Sequence, residues 1–299
     1  MAHPSRRRPE NRAGEFYVDN TCIDCDACRW LAPETFARAG DQSAVARQPA
    51  PGDTPARLHA LEALVACPTA SIGTAIPAPE MPAVRSSFPL LIEGGVHYCG
   101  YHSAKSFGAA AYFIRREGGN VLVDSPRWSE TLAKRLEGLG GARWLFLTHG
   151  DDVADHRAWR DRLGCERILH AGDVSRDTGQ IERILQGEEP VDLAPDLRII
   201  PVPGHTRGSA ALHYRDAYLF TGDHLAYSPR LGHLYAFRDA CWHSWIRQIK
   251  SMEKLAGYPC EWVLPGHGRR WHGAKEEMAG QLGKCVAWMK AREGTGQGD

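Results

Sequence analysis

The sequence predicts a mixed α/β protein in which a small thiol-rich part precedes a larger part of alternating short strands and helices. Within residues 86–299, short apolar runs closed by Gly, Pro or Asp recur, as buried strands do. Three prolines within residues 77–82 interrupt both helix and strand between the two parts. We therefore expect a disordered tail (1–14), a small α+β domain (15–76), a linker (77–85) and a larger α/β domain (86–299).

Individual elements follow from local patterns. Apolar residues at helical spacing predict a helix over residues 54–66, and a Glu-Gly-Gly turn at 117–119 predicts a hairpin between strands 109–114 and 120–124. Further helices are predicted at the helical stretches of the larger part, which are 129–139, 152–163, 177–185, 242–255 and 275–292.

Composition excludes several classes of function. Lys plus Arg and Asp plus Glu are both 36, so the net charge is zero and nothing favours a nucleic acid or a membrane surface as partner. No apolar run approaches the ~18 residues of a membrane span. Five of the nine cysteines lie outside the motif described next and show no pairing pattern. We therefore expect a cytoplasmic protein with reduced thiols.

The thiol-rich part contains Cys22, Cys25 and Cys28 at intervals of three, with Cys67 far along the chain in a Cys-Pro pair. A compact iron–sulfur cluster needs this local spacing plus one remote thiolate. The residues alone leave open a structural zinc site or disulfides, although zinc sites more often use paired Cys-x-x-Cys elements.

Residues 15–75 resemble single-cluster bacterial-type ferredoxins, including the Ala-Pro-Glu-Thr-Phe stretch at 32–36 and the Cys-Pro-Thr-Ala-Ser-Ile stretch at 67–72. The resemblance implies that Cys22, Cys25, Cys28 and Cys67 bind a [4Fe–4S] cluster. Because Cys25 is present, it implies four irons rather than three.

In the larger part, polar residues follow four apolar runs. His149 follows the first run, His205 the second, Asp223 the third and His267 the fourth. Strand ends can converge on one edge of a fold, where imidazole and carboxylate groups bind divalent metals. The sequence therefore predicts a metal site at such an edge.

Residues 86–275 resemble the metallo-β-lactamase superfamily, whose fold is an αββα sandwich with metals at one edge. The family's leading His-x-His-x-Asp-His motif corresponds here to His149 and to the pair Asp155 and His156. The resemblance extends to a Pro-Gly-His-Thr, a Thr-Gly-Asp and a Pro-Gly-His-Gly stretch, and it implies a dinuclear site whose remaining ligands are His205, Asp223 and His267. It also implies that Asp223 bridges the metals and that Asp155 orients the catalytic hydroxide.

The first motif departs from the family at its second histidine. Two residues are added, and Asp151 and Asp152 stand where an imidazole is expected. Either can be the ligand; Asp151 keeps the two-residue offset from His149, and the other aspartate would cap the following helix. A carboxylate at this position favours iron or manganese over zinc.

Other polar residues are candidate contacts. Five that precede the first hairpin could contact substrate at the metal rim: Tyr98, Tyr101, His102, Lys105 and Ser106. Four that follow Asp223 lie in a segment that could cover the site: Tyr227, Arg230, Arg238 and His243. His213 and His224 are interpreted as ordinary structural histidines.

Three functions remain open. The first is a metal-dependent hydrolase of a small-molecule ester, thioester or lactone at a dinuclear site, with an attached electron-transfer domain. The second is a di-iron oxidoreductase that receives electrons from a partner reductase through the ferredoxin domain. The third is a redox-regulated binding module. Iron beyond four per chain would favour the second.

Overall fold

The computed structural model describes residues 2–293, which form two compact units. The first unit comprises the chain up to Arg143 together with Ala154–Cys165, and the second comprises Trp144–Val153 and the residues from Glu166 onward. Both units combine helices with sheets, so the predicted mixed α/β class is confirmed. A search of the described residues finds no helix long and apolar enough to span a membrane.

The thiol-rich part of the first unit contains two small sheets and two helices. Its elements are β1 (Phe16–Val18), α1 (Ala27–Leu31), β2 (Phe36–Ala39), β3 (Gln42–Val45), α2 (Thr54–Ala66) and β4 (Ile72–Thr74). Strands β1 and β4 pair antiparallel, and β2 and β3 form a hairpin. Asp53 caps α2 by accepting a hydrogen bond from the Ala56 amide, which satisfies a donor of the first turn. The helix ends at Ala66, which places Cys67 at its C-terminus.

Residues 2–14 are ordered, so for them the prediction of a disordered tail over residues 1–14 was wrong. Residues Pro4–Arg6 form a turn of 3₁₀ helix. The guanidinium of Arg8 is buried and donates hydrogen bonds of 2.9 Å to the carbonyl oxygens of Ser43 and Ala39. These acceptors lie more than 30 residues away in sequence, and a local basic pattern cannot reveal them.

The predicted linker over residues 77–85 is only partly irregular. A helix, α3 (Met81–Ser87), begins within it and has Pro82 in its first turn, where a missing amide hydrogen costs nothing. Val84 is buried, and Glu80 accepts a hydrogen bond from Arg57 of α2 at 2.8 Å. The proline pattern therefore marked a helix start as well as a break. The division into domains at this point stays a prediction.

The rest of the first unit has four antiparallel strands and two helices. The strands β5 (Leu90–Glu93), β6 (Val96–Tyr98), β7 (Tyr112–Ile114) and β8 (Val121–Val123) pair in sequence order. The predicted hairpin is confirmed as β7–β8. The helices are α4 (Glu130–Gly138), capped by the Ser129 hydroxyl, and α5 (His156–Leu163).

The second unit begins with three parallel strands, β9 (Trp144–Phe146), β10 (Glu166–His170) and β11 (Arg183–Leu185). The predicted helix over residues 177–185 was therefore wrong. Its last three residues form β11, because pairing with β10 satisfies their backbone groups. Arg167 on β10 also pairs with Glu182 at 2.9 Å.

A six-stranded sheet completes the second unit. In spatial order its strands are β12 (Val191–Ala194), β13 (Leu197–Pro201), β14 (Ala210–Tyr214), β15 (Tyr218–Gly222), β18 (Trp262–Pro265) and β19 (Trp271–His272). A separate hairpin joins β16 (Ala226–Ser228) and β17 (His233–Tyr235). The helices α6 (Trp245–Leu255) and α7 (Lys275–Ala291) confirm the two longest helix predictions to within three residues. Their apolar faces pack in one core with this sheet and contribute Ile249, Met252, Leu282 and Met289.

The cysteines outside the thiol-rich part differ in burial. Cys99, Cys165, Cys260 and Cys285 are buried, whereas Cys241 is partly exposed. No disulfide joins cysteines in the part of the chain that the structure describes.

Candidate cluster and metal sites

The four cysteines of the first motif lie around α1 and at the end of α2. Cys22 and Cys25 precede α1, Cys28 lies in it, and Cys67 follows α2. The Ser71 amide donates to Cys67 Sγ at 3.2 Å and the Ser43 amide to Cys22 Sγ at 3.5 Å. Amides directed at sulfur suit the thiolates of an iron–sulfur cluster, whose potential such hydrogen bonds tune.

Electrostatics around these thiols also fit a cluster. Burial, together with the neighbouring Cys67 and Cys22, raises the pKa of Cys25 to about 12. Neighbouring thiols with a pKa this high form thiolates only when a strongly positive group balances their charge. The irons of a cluster supply that charge. The loop before α1 is held by Arg29, which pairs with Asp24 and Asp26 at 2.5 Å each. Both aspartates have positive φ, so these ion pairs fix a backbone that the loop would otherwise disfavour.

In the second unit, the predicted strand-end residues converge. His149 follows β9, His205 follows β13, Asp223 follows β15 and His267 follows β18. Oδ2 of Asp223 lies 3.7 Å from Nε2 of His149, 3.8 Å from Nε2 of His205 and 3.6 Å from Nε2 of His267. One carboxylate oxygen therefore faces three imidazoles, the arrangement expected of a ligand shared between metals.

Both added aspartates lie among these candidate metal ligands, each in a different group. Asp151 lies with His149 and His205, and Asp152 lies with His149 and Asp223; within each group the ligand atoms are all within 4.8 Å of one another. Asp152 is buried, whereas the Asp151 side chain is half exposed. Neither caps the helix, so that part of the interpretation was wrong. Helix α5 begins at His156, after Ala154 with φ of 26°, and Asp155 occupies the N-cap position.

Buried polar atoms test whether divalent metals suit these residues. Nε2 of His149, both ring nitrogens of His205 and Oδ1 of Asp223 are buried and lack a hydrogen-bond partner among the described residues. Buried polar groups without partners are costly, and metal coordination would satisfy them. Thr148 Oγ1 contacts Nδ1 of His149 at 2.9 Å, which orients the ring so that Nε2 faces the carboxylates. The residue set therefore fits divalent metal ions.

The histidines and aspartates perturb one another. Burial lowers the pKa of His149, which keeps its imidazole neutral and able to bind metal. For His205, burial acts downward, but the carboxylates of Asp151 and Asp223 outweigh it and the pKa is raised. The imidazole of His205, whose Nε2 lies 3.5 Å from Oδ2 of Asp151, lowers the pKa of that carboxyl group. Burial lowers the pKa of His224, next to Asp223, to about 3.

Asp155 and His156, the closing pair of the first motif, lie at the start of α5 in the first unit. Oδ1 of Asp155 accepts a hydrogen bond from Nζ of Lys105 at 2.7 Å, and Oδ2 accepts one from the Trp128 amide at 2.8 Å. Burial acts to raise the pKa of Asp155, but these two donors outweigh it and the pKa is lowered. His156 is buried. Their role as ligands stays a prediction.

Most of the suggested rim contacts are buried in the first unit. Of the five residues, Tyr98, Tyr101, His102 and Ser106 are buried, and only Lys105 is exposed. The Tyr98 hydroxyl hydrogen-bonds Nε2 of His102 at 2.5 Å. These two side chains therefore serve packing, and the interpretation as substrate contacts was wrong for them. Of the suggested covering segment, Tyr227 and Arg230 lie in the β16–β17 hairpin, whereas Arg238 and His243 follow it. The covering role stays a prediction.

Sequence reasoning missed Asp173, which supports two metal-site loops. Its carboxylate accepts hydrogen bonds from the Gly150 amide at 2.9 Å, the Gly208 amide at 2.8 Å and the Thr206 hydroxyl at 2.6 Å. Gly150 follows His149, and Thr206 follows His205. Asp173 therefore fixes the backbone beside two candidate ligands. No motif identifies it, because it lies in a short 3₁₀ turn, Ala171–Asp173, that follows β10.

Two glycines allow the close approach of the ligands. A Cβ on Gly266 would lie 2.8 Å from Oδ1 of Asp223 and 3.0 Å from Oδ2 of Asp152. A Cβ on Gly222, which has φ of 51°, would lie 2.4 Å from Oγ1 of Thr148. The Gly-His and Gly-Asp pairs in the sequence thus reflect a requirement for space beside the carboxylates.

Known families match both halves of the chain. The description 4Fe-4S single cluster domain of ferredoxin I matches residues 18–74, and the metallo-beta-lactamase superfamily matches residues 97–276. The chain belongs to the metallo-beta-lactamase superfamily. More particularly, it is a member that carries a ferredoxin-type [4Fe–4S] domain on the N-terminal side of the hydrolase domain. Its cofactors are a [4Fe–4S] cluster and divalent metal ions, of which domains of this superfamily typically bind two.

Curated relatives include hydroxyacylglutathione hydrolases. The one from Hyphomonas neptunium is 25% identical over 180 residues, which are 58% of this chain and 69% of that protein. The one from Anaeromyxobacter dehalogenans is 35% identical over 117 residues, 38% of this chain and 45% of that protein. The one from Rhodospirillum rubrum is 30% identical over 162 residues, 52% of this chain and 60% of that protein. The chain thus spans less than two thirds of the length of two of these three relatives.

Solved structures share the fold. The DIM-1 metallo-beta-lactamase aligns with a TM-score of 0.54 at 16% identity, over 68% of this chain and 96% of that one. VMB-1 aligns with a TM-score of 0.53 at 14% identity, over 67% and 95%. The predicted metallo-β-lactamase fold and the predicted class, a metallohydrolase of that fold, are confirmed.

Proposed function

We propose that the chain hydrolyses a thioester whose thiol portion is a small peptide such as glutathione, with other esters and lactones as weaker substrates. The observation that supports this most directly is the position of Asp223 Oδ2, within 3.6–3.8 Å of three imidazole nitrogens. The printed activity of the relatives supports the thioester, since each is a hydroxyacylglutathione hydrolase.

The proposed ligand set is His149, Asp151, Asp152, Asp155, His156, His205, Asp223 and His267. Two divalent ions bound there would supply Lewis acidity and lower the pKa of a water molecule toward 7. Asp223 would be the ligand that serves both ions, and Asp155 would orient the attacking water. Thr148 and Asp173 keep His149 and the loop of His205 in place.

Trp242 offers a wall for the substrate. Its side chain is two thirds exposed, its Nε1 donates to Asp151 Oδ2 at 3.1 Å, and its amide donates to the His205 carbonyl at 2.8 Å. An exposed indole beside metal-site residues suits the apolar part of an acyl group. Trp242→Ala should raise KM for the thioester by about tenfold and change kcat less, since one apolar group of a substrate contributes about 1–3 kcal/mol when it is buried.

The test is a steady-state comparison of a hydroxyacyl thioester of glutathione with the matching oxygen ester and a lactone. Wild-type protein should show its highest kcat/KM on the thioester, and Asp223→Ala should lower that value at least about 10³-fold, as removal of a site that stabilises developing charge does. The matched control is Asp192→Ala, which removes an exposed carboxylate paired with Arg198. Thioester turnover that is unchanged in the Asp223 variant would refute the proposal.

One observation favours a second candidate, the di-iron oxidoreductase. A [4Fe–4S] domain shares the chain with a site that has Asp151 and Asp152 in place of an imidazole. Iron suits such ligands, and a partner reductase would supply electrons through the cluster. Iron, zinc and sulfide analysis of anaerobically purified protein separates the two. Zinc alone in the second site eliminates the oxidoreductase, since zinc has no redox couple.

A further inference from the structure

Residues 102–108 form a loop in the first unit, here called the 102–108 loop, that contacts both the cysteine motif and Asp155. It contains a turn of 3₁₀ helix over Ala104–Ser106 and precedes β7. The sequence suggested only substrate contacts for its residues, and the family comparisons assign it no role.

One end of the 102–108 loop packs against the segments that bear the cluster cysteines. The His102 amide donates to the carbonyl of Ala66, the residue before Cys67, at 3.2 Å. At Gly108, with φ of 89°, an added Cβ would lie 2.7 Å from Cβ of Cys25, 3.0 Å from its Sγ and 3.2 Å from Cγ of Pro68. Only glycine allows the loop backbone to lie this close to two cluster-binding segments.

Internal hydrogen bonds make the loop a single closed turn. The Gly108 amide donates to the Ser103 carbonyl at 2.8 Å, and the Lys105 amide donates to the Ser103 hydroxyl at 3.2 Å. The buried bond between His102 and Tyr98 anchors its start, and Trp30 of the thiol-rich part packs edge-on against Tyr98 at 5.2 Å. A displacement at Gly108 would therefore be transmitted to Lys105.

The other end of the loop reaches Asp155. Nζ of Lys105 donates to Oδ1 of Asp155 at 2.7 Å, while the Trp128 amide holds Oδ2. The Lys105 side chain is 69% exposed, whereas that of Asp155 is 18% exposed. An exposed lysine has many rotamers, so this contact depends on where the loop places its backbone.

We propose that Lys105 is a positioning residue for Asp155, and that the occupied [4Fe–4S] cluster fixes Lys105 through the 102–108 loop. Loss of the cluster loosens Cys25 and Cys67, and with them Gly108 and the Ala66 contact. The loop then no longer holds Lys105, and Asp155 loses one of its two orienting hydrogen bonds. The cluster thus controls metal binding by the hydrolase domain. This inference rests on the proposed role of Asp155 as a metal ligand and not on which substrate is hydrolysed.

The test measures metal binding in the full-length protein, with and without the cluster. Mn²⁺ is titrated anaerobically and the free ion is counted by EPR. In cluster-loaded protein, Lys105→Met should weaken the weaker Mn²⁺ site by about 10- to 100-fold, the usual effect of losing a partner of a ligand. The matched control is Lys134→Met, because Lys134 is also 69% exposed and pairs with a carboxylate, Glu130, within the same unit. It should change the affinity less than about twofold.

Removal of the cluster should weaken Mn²⁺ binding at the same site by a similar factor. In cluster-depleted protein, Lys105→Met should then weaken it little further. This non-additivity distinguishes a shared path from two independent effects. Unchanged Mn²⁺ affinity in Lys105→Met, or effects of cluster loss and Lys105→Met that multiply, would overturn the proposal. The assay measures metal binding and not turnover, so its result can be interpreted even if the thioesterase proposal fails.

A second variant covers the case in which cluster-depleted protein unfolds. Gly108→Ala keeps all four cysteines but forces the loop away from Cys25. It should accelerate amide hydrogen exchange at residues 103–109 and weaken the same Mn²⁺ site, and adding Lys105→Met should have little further effect. Faster exchange with unchanged Mn²⁺ affinity would overturn the coupling.

Discussion

Oδ2 of Asp173 accepts a hydrogen bond of 2.6 Å from the hydroxyl of Thr206, the residue that follows His205. The same carboxylate accepts the amides of Gly150 and Gly208. One side chain outside the ligand set therefore connects the loops that carry His149 and His205.

Asp173→Ala should destabilise the protein by about 2–3 kcal/mol, because three donors to a carboxylate lose their acceptor together. It should also weaken divalent-metal binding by about tenfold or more, since the two ligand loops lose their shared support. Urea unfolding and metal titration measure the two effects. Asp192→Ala is the control. If the Asp173 variant has the same stability and metal affinity as this control, Asp173 does not support the ligand loops.

Asp223→Ala should lower the amount of bound metal by more than one equivalent per chain. Its Oδ2 lies 3.6–3.8 Å from Nε2 of His149, His205 and His267. Asp223 belongs to one candidate group and faces two histidines of the other, so its removal should weaken metal binding at both. His267→Ala should affect fewer equivalents, because His267 belongs to neither candidate group and only its distance to Asp223 brings it to the site. Metal analysis after dialysis gives the counts, and the bridging role does not survive full stoichiometry in the Asp223 variant.

Asp151→His and Asp152→His should both move metal preference from iron or manganese toward zinc, because each aspartate lies within reach of a candidate group. Asp152→His should also destabilise the fold, since Asp152 is buried and Asp151 is half exposed. Purification after growth with balanced metals, followed by metal analysis, tests this. A selectivity change in only one variant would identify that aspartate as the ligand.

Cys25→Asp should leave a three-iron cluster, because one corner of the cluster loses its thiolate while the other three cysteines remain. Iron and sulfide analysis with EPR should show about three irons per cluster. Cys241→Ser, at a partly exposed cysteine outside the motif, should keep four. Tightly bound zinc without acid-labile sulfide in the wild type would contradict the cluster assignment.

His213 should make stability depend on pH between about 7.5 and 5.5. Burial lowers its pKa below 6.5, and its Nε2 hydrogen-bonds the Pro259 carbonyl at 3.0 Å. As the pH falls through 6.5, the unfolded histidine takes up a proton that the folded one does not, so stability falls. His213→Gln keeps a donor but cannot titrate. Its urea midpoint should therefore decline less than that of the wild type over this range, and equal declines would exclude His213 as the cause.

The sequence anticipated the features that depend on local patterns. Apolar runs ending at His149, His205, Asp223 and His267 predicted the convergence of these residues, because strand ends lie along one edge. The tail was mispredicted, since Arg8 is held by carbonyls more than 30 residues away. Strand β11 was missed because three residues gain their structure only from pairing with β10. Asp173 was missed because its role is to accept hydrogen bonds, which leave no pattern in sequence.

Because most of the remaining cysteines are buried, the reactivity of the thiols toward alkylation can report the fraction of molecules that contain a cluster. Burial raises the pKa of Cys260 and Cys285 to about 12 and also raises that of Cys99, so these thiols hardly form the reactive thiolate. An alkylating reagent applied to folded, cluster-loaded protein should therefore label Cys241 first. Once the cluster is lost, the half-buried Cys22 becomes available as well. The mass added by brief alkylation would then count the fraction of molecules without a cluster.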